Sequence, residues 1–168
     1  MQMNTKPKSN GQIPRMSRAG EAGAAPTPAL SSAALAVAGR CVAMSSRGIV
    51  PTGAALRLGA DGKQHPHVDG LPQGSRLTTE LVLAGAVARG LHDDDEDFDR
   101  QAIVEMGLAM IVLQSNFNTA LLAAGNLIEQ HMVVTRAIAG RLVVKLSLSG
   151  EELAAHLAPV IAPAGRRA

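Results

Sequence analysis

The strongest pattern in this chain lies in residues 103–138, IVEMGLAMIVLQSNFNTALLAAGNLIEQHMVVTRAI. Apolar residues recur there at alternating steps of three and four, the spacing that is typical of a coiled-coil interface. The pattern predicts one long amphipathic helix over about residues 98–139, one side of which contacts another chain. We call the eleven positions in phase the seam, and ten of them are apolar: Ile103, Met106, Met110, Leu113, Phe117, Ala120, Ala124, Leu127, His131, Val134 and Ile138.

The course and the end of this helix depend on a few polar positions. Residues 115–118 are turn-prone and could fold the stretch into a helical hairpin. The apolar spacing runs through them without a skip, which favours a continuous helix. We expect the helix to end at Gly140, because the next positions in phase, Arg141 and Lys145, are charged.

His131 is the one polar member of the seam. A single polar residue at such a position can set the register or the oligomeric state of a coiled coil. Protonation of two buried copies at mild acidity would then loosen the assembly. The alternative is that the helix splays at this point and the ring reaches solvent.

A shorter helix is predicted ahead of the seam, over residues 78–91. Thr78 or Thr79 can cap its N-terminus, and Gly90 is a natural terminator. This helix has about a third of the length of the long one, so it cannot cover the whole seam. Part of the seam therefore needs another chain, which predicts self-association.

Residues 1–55 are predicted to be a disordered basic arm. They are rich in Ala, Gly, Pro and Ser, and residues 1–60 hold seven basic side chains against a single acid, Glu21. Such a segment buries too little apolar area to offset the roughly 1–2 kcal/mol that ordering each residue costs. The arm could bind nucleic acid or an anionic membrane by charge. Residues 28–39 also leave a cleaved targeting peptide open, but an uncleaved flexible arm is favoured.

The rest of the chain divides into three segments. Residues 56–76 are predicted to form a turn-rich loop or a short hairpin around Asp61-Gly62, a recognised hairpin signal. Residues 77–158 are predicted to form the helical domain. Residues 159–168 are predicted to form a basic tail.

Near the end of the helical domain the spacing of apolar residues changes. Residues 142–149 alternate between apolar and other residues with a period of two, which indicates a strand. No partner strand is evident from the sequence. Ser149 can then cap a last short helix over residues 151–157.

The acidic run that precedes the long helix resembles half of a calcium-binding loop. Asp93, Asp95 and Asp97 have the spacing of the first ligands of an EF-hand, but Phe98 stands where that loop needs glycine. We therefore favour a solvated acidic turn that begins the helix.

Histidine and cysteine suggest little further chemistry. His65, His67 and Asp69 could bind a metal ion, but their Gly- and Pro-rich surroundings favour a surface loop. Cys41 is the only cysteine, which excludes an intrachain disulfide. The chain has no Trp or Tyr, the residues that line many ligand pockets. We predict no catalytic residue, no cofactor and no metal site.

Together these observations predict a mainly α protein that self-assembles and is not an enzyme. It would be a homo-oligomer or a filament component joined through the seam. The first alternative is a helical adaptor or chaperone-like subunit that binds another protein through the same residues, and the second is a charge-driven binder of nucleic acid or membranes. No run reaches the roughly 18 apolar residues of a membrane span, so we expect a cytoplasmic protein, or an exported one without a clear cleaved signal peptide.

Overall fold

The computed structural model of this chain describes residues 30–74, 76–90 and 100–161. The predicted acidic turn at 93–97, most of the predicted basic tail, and residues 1–29 of the predicted arm lie outside this part. The described residues are mainly helical, as predicted, and they include a small three-stranded sheet. The elements are α1 (Ser32–Ser46), β1 (Gly53–Leu58), β2 (Gln64–Asp69), α2 (Arg76–Arg89), α3 (Arg100–Leu113), a 3-10 turn (Gln114–Asn116), α4 (Phe117–Gln130), α5 (Met132–Lys145), β3 (Ser147–Ser149) and α6 (Gly150–Leu157).

Helix α1 is the centre of the core, which corrects the prediction of a disordered arm for residues 30–55, the part of that arm that the structure describes. Every residue from Ala33 to Ser45 is buried, and α1 packs against α2, α5 and the β1–β2 hairpin. A helix that is apolar on all sides is stable only when it is enclosed. The hydroxyl of Ser31 caps it by accepting a 3.1 Å hydrogen bond from the backbone N–H of Ala34.

Small residues explain how an alanine-rich segment can serve as a core helix. A Cβ atom added to Gly39 of α1 would lie 2.6 Å from the Cβ of Ala88, and one added to Gly85 of α2 would lie 2.8 Å from the carbonyl oxygen of Ala36. The backbones of α1 and α2 therefore come close together. Contacts along that line compensate for the small area that each alanine buries.

The sheet has the strand order β2-β1-β3. The Asp-Gly signal does mark a hairpin: β1 and β2 are antiparallel, Gly53 lies opposite Asp69, and Gly62 has a positive φ of 74° in the turn. The strand predicted over residues 142–149 is restricted to β3, because α5 continues to Lys145. Its partner is β1, which lies almost a hundred residues earlier in the chain.

The helical course predicted over residues 98–139 is present from Arg100 onwards, but it differs from the prediction in two respects. It is divided at the 3-10 turn, where Gln114 has a φ of 47°, and again at His131. It also continues past Gly140 to Lys145 and ends at Leu146, which has a left-handed φ of 64°. The heptad spacing does not reveal these breaks, because an apolar residue occupies the in-phase position on each side.

The two short helices predicted from local signals are present. Helix α2 begins at Arg76, two residues before the predicted cap, and the hydroxyl of Thr78 donates instead to the carbonyl oxygen of Pro72 at 2.6 Å. Ser149 caps α6 as predicted. Its hydroxyl accepts from the backbone N–H of Glu152, while the Glu152 carboxylate accepts from the N–H of Ser149.

Candidate interaction surface

The seam residues occupy three different environments. Four are buried within the chain, two are exposed, and the others are half-buried. Leu113 and Phe117 pack on Leu83 of α2, so α2 covers the middle of the seam. In this arrangement the buried members contact their own chain, and an interface role for the rest stays a prediction. The buried members are Leu113, Phe117, Ala124 and Ile138; the exposed ones are Ile103 and Met110; the half-buried ones are Met106, Ala120, Leu127, His131 and Val134.

The largest apolar surface lies on α3, and the seam includes only part of it. Six large apolar side chains of this helix are at least half exposed, and Ile111 reaches 71%. We call this set the outer face of α3. Its members are Ile103, Val104, Leu108, Met110, Ile111 and Val112.

The opposite side of α3 carries the charge. The buried residues of this helix are Ala102, Glu105, Ala109 and Leu113. Between Ala102 and Leu113 the sequence has no polar residue except Glu105. The polarity of α3 is reversed in one sense: its single internal carboxylate is buried beside Ala102, Ala109 and Leu113 while large apolar side chains are exposed, whereas an ordinary surface helix exposes its charges.

Two buried arginines hold the Glu105 carboxylate. Its Oε1 lies 2.8 Å from Nη2 of Arg40 on α1 and 3.6 Å from Nη2 of Arg89 on α2. All three side chains are less than one-tenth exposed. Burial lowers the pKa of Arg40, and the attraction of Glu105 acts in the opposite direction. These ion pairs, together with the packing of Ala109 and Leu113 on α2, hold this side of α3 against the core.

The same arginines connect this ion cluster to the rest of the core. Arg40 Nη1 donates to the carbonyl oxygen of Pro66 on β2 at 3.4 Å, and Arg89 Nη1 donates to the hydroxyl of Ser32 on α1 at 3.1 Å. Four elements therefore meet at one set of charges. The sequence gives no direct signal for this meeting, because the three charged residues are far apart in the chain.

Gly107 occupies the middle of the outer face. Residues three and four positions away are its neighbours on the helix surface. These neighbours are Ile103, Val104, Met110 and Ile111, and all four belong to the outer face. A Cβ atom added to Gly107 would meet nothing within 4 Å. The face therefore has a depression that four large apolar side chains surround.

A cavity of about 420 Å³ opens at the N-terminus of α1. The ring of His65 lies 3.0 Å from Asp61, and Ser31 and Ser32 line the same cavity. Both hydroxyls already accept hydrogen bonds, from the N–H of Ala34 and from Arg89.

The candidate metal ligands of the hairpin form separate pairs. His65 pairs with Asp61, and His67 lies 2.8 Å from Asp69. Over residues 30–74, 76–90 and 100–161, no group of three or more His, Cys, Asp or Glu residues is placed to hold a metal ion.

One helical stretch, Arg100–Gln130, is long and apolar enough to cross a membrane by length and composition. By itself this finding does not overturn the expectation that the chain has no transmembrane segment. The helix of a soluble protein can pass the same test, so this is weak evidence for a membrane span.

No protein family, curated protein or solved structure matches the chain.

Proposed function

We propose that this protein is a helical self-assembling protein without enzymatic activity, and that its copies associate through the outer face of α3. The observation that carries the proposal is the reversed polarity of this helix. Its one internal carboxylate is enclosed by Arg40 and Arg89, while six large apolar side chains face outward. Contiguous apolar patches of this kind on a protein surface typically mark contact sites.

The energetics are adequate for association. Enclosing a whole side chain of this type contributes about 1.5–3 kcal/mol, and about half of each remains to be covered, so each adds about 1 kcal/mol. Six side chains then contribute about 6 kcal/mol per copy, and two apposed faces about 12 kcal/mol. Loss of translational and rotational freedom costs about 4–15 kcal/mol. The apolar contribution is thus of the same size as the cost of association.

The residues of the proposed contact differ from those of the seam. Ile103 and Met110 belong to both sets, whereas Leu113, Phe117, Ala124 and Ile138 are enclosed by their own chain. An adaptor that binds a different helical protein would use the same outer face. The mass of the purified protein distinguishes these two functions, because a self-assembling protein is an oligomer and an adaptor without its partner is a monomer.

Charge-driven binding through the arm has less support. Arg40 lies in the buried ion cluster, and Arg47 is paired with Glu80 at 2.8 Å. Two of the basic residues that suggested such binding are therefore used within the fold.

The test is the mass of the protein in solution, measured by light scattering behind a sizing column at low and at high salt. We expect a salt-resistant oligomer, because the contact is apolar. Ile111→Asp should give a monomer with an unchanged circular dichroism spectrum, since it places a charge in the contact. Val133→Asp is the matched control, because Val133 is 83% exposed but lies on α5, and its mass should equal that of the parent.

A parent protein that is monomeric at tens of micromolar would overturn self-assembly and leave the adaptor. An oligomer that Ile111→Asp does not dissociate would show that the contact lies elsewhere.

A further inference from the structure

The depression at Gly107 specifies how two copies would meet, and this inference rests on the proposed function. A glycine inside a helix costs about 0.5–1 kcal/mol relative to alanine. Within the chain nothing explains that cost, because an added Cβ at Gly107 would meet only open space. At Gly39 the added atom would instead meet Ala88 at 2.6 Å, so the packing of α1 on α2 requires glycine there.

Small residues allow two helix backbones to approach closely, and large neighbours then interlock around the crossing point. Gly107 is the eighth of the fourteen residues of α3, close to its midpoint. Its four neighbours on the helix surface are large, apolar and exposed. A second helix placed across this point would fill the depression and cover the surrounding side chains together.

The described surface offers the outer face one matching partner, which is the outer face of another copy. Thirteen large apolar side chains are exposed in the described residues, and six of them form this face. Of the other seven, Val50 and Ile161 line one apolar pocket of about 90 Å³, which is too small to take up a face of six large side chains, and no other described element carries more than two. A head-to-tail contact needs a second apolar surface, whereas a two-fold contact uses the same surface twice.

We propose that two copies of this chain form a closed, two-fold symmetric dimer in which their α3 helices cross at Gly107. Two-fold contacts are self-complementary, so the dimer consumes both outer faces and does not extend into a filament.

A lipid surface fits the outer face less well than a second copy. Helices that lie on membranes carry basic residues beside their apolar side and often Trp. The chain has no Trp, the only basic residue of α3 is Arg100, and residues 93–99 of the sequence hold six acids. An anionic membrane would repel that acidic stretch.

The first test replaces Gly107 by leucine in the full chain. Gly107→Leu adds apolar area and helix propensity, so a nonspecific hydrophobic association would become tighter. If the helices cross at Gly107, the new side chain prevents the close approach, and we expect the dimer dissociation constant to rise about tenfold or more. Gly125→Leu in α4 is the matched control, because its added Cβ also meets nothing within 4 Å. Sedimentation equilibrium measures both.

The second test does not depend on the leucine variant folding. Gly107→Cys puts one thiol from each copy at the proposed crossing, where a small separation of the two helices would bring the Cβ atoms to the about 3.5–4.5 Å that a disulfide needs. Under an added oxidant we expect a covalent dimer on a non-reducing gel. Leu122→Cys, which is 66% exposed on α4, should not form one, and Cys41 is fully buried and does not compete.

The outcomes separate the two proposals. A monomeric parent overturns both, and cosedimentation of that monomer with vesicles of anionic or neutral lipid would assign the outer face to membranes. An oligomer that Ile111→Asp dissociates, but that Gly107→Leu leaves intact and Gly107→Cys does not crosslink, overturns the crossing at Gly107 alone. A mass above that of a dimer would also contradict the closed two-fold arrangement.

Discussion

The carboxylate of Glu105 on α3 and the guanidinium of Arg40 on α1 meet at 2.8 Å inside the protein, with less than one-tenth of either side chain exposed. This pair joins the most buried helix of the core to the most apolar surface of the molecule. Together with Arg89 and with the packing of Ala109 and Leu113 on α2, the pair holds the buried side of α3 against the core.

We expect Glu105→Ala to lower the free energy of unfolding by about 3–5 kcal/mol, because it leaves Arg40 and Arg89 buried beside each other without the carboxylate. Urea unfolding followed by circular dichroism measures the change. Glu129→Ala is the control, since the Glu129 carboxylate is exposed on α4 and lies outside the ion cluster. A loss below about 1 kcal/mol, typical of an exposed ion pair, would show that the cluster does not hold α3.

Gly39→Ala tests the close packing of α1 on α2. The added methyl group would lie 2.6 Å from the Cβ of Ala88 and 2.7 Å from the carbonyl oxygen of Ala84, so the helices must separate. We expect a loss of about 1–3 kcal/mol in stability, even though alanine is the better helix former. Gly125→Ala, where nothing lies within 4 Å, should be neutral or stabilising by up to about 1 kcal/mol. Equal stabilities of the two variants would contradict the packing.

The thiol of Cys41 should be unreactive in the native protein. Burial disfavours the charged thiolate and raises the pKa of Cys41 from 9.0 to about 12. Labelling with a chromogenic disulfide reagent at pH 8 should therefore be roughly a hundredfold or more slower than in the urea-unfolded chain. A full equivalent of label on the folded protein within minutes would mean that α1 is not enclosed.

The cap of α6 should weaken in acid. The hydrogen bond from Lys145 and then the backbone N–H of Ser149 lower the pKa of Glu152 below its ordinary value of 4.5. The carboxylate therefore stabilises the folded state above pH 4.5, and this contribution is lost as the pH falls through the lowered pKa. The amide resonance of Ser149, followed by NMR during acid titration, reports the midpoint.

Lys145→Met removes the largest cause of that shift, so the midpoint of the Ser149 titration should move up toward 4.5. Glu152→Gln should abolish the titration. A midpoint that Lys145→Met leaves unchanged would show that the backbone hydrogen bond alone holds the carboxylate.

Elements with a local chemical signal could be predicted from the sequence. Asp61-Gly62 indicated a hairpin as one of two possibilities, and Ser149 indicated the cap of α6, since the residues that make each contact lie within a few positions of one another. Helix α1 could not be predicted in this way. Its stability comes from contacts with elements that lie far along the chain. The composition of α1, which is rich in alanine, resembles that of a flexible tail.

The exposed apolar face of α3 was predicted only in part for the same reason. Heptad spacing shows that one side of a helix is apolar, but it does not show whether the cover comes from the same chain or from another. Leu113 and Phe117 are covered by α2 of the same chain, whereas Ile103 and Met110 are exposed. A single charged residue such as Glu105 in an apolar helix would ordinarily be expected to face solvent. It is buried here because it pairs with Arg40 and Arg89, which lie far away in the sequence.

The central position of α1 has a consequence for the order in which the protein is made. Helix α1 leaves the ribosome about 90 residues before α5, whose Ile138 and Leu142 help to enclose it, and before β3, which completes the sheet beside β1. At about 5–20 residues per second, that interval lasts roughly 5–20 s. During this interval the nascent chain exposes an apolar helix with almost no charge. To avoid aggregation, α1 must pair early with α2 or be bound by a chaperone.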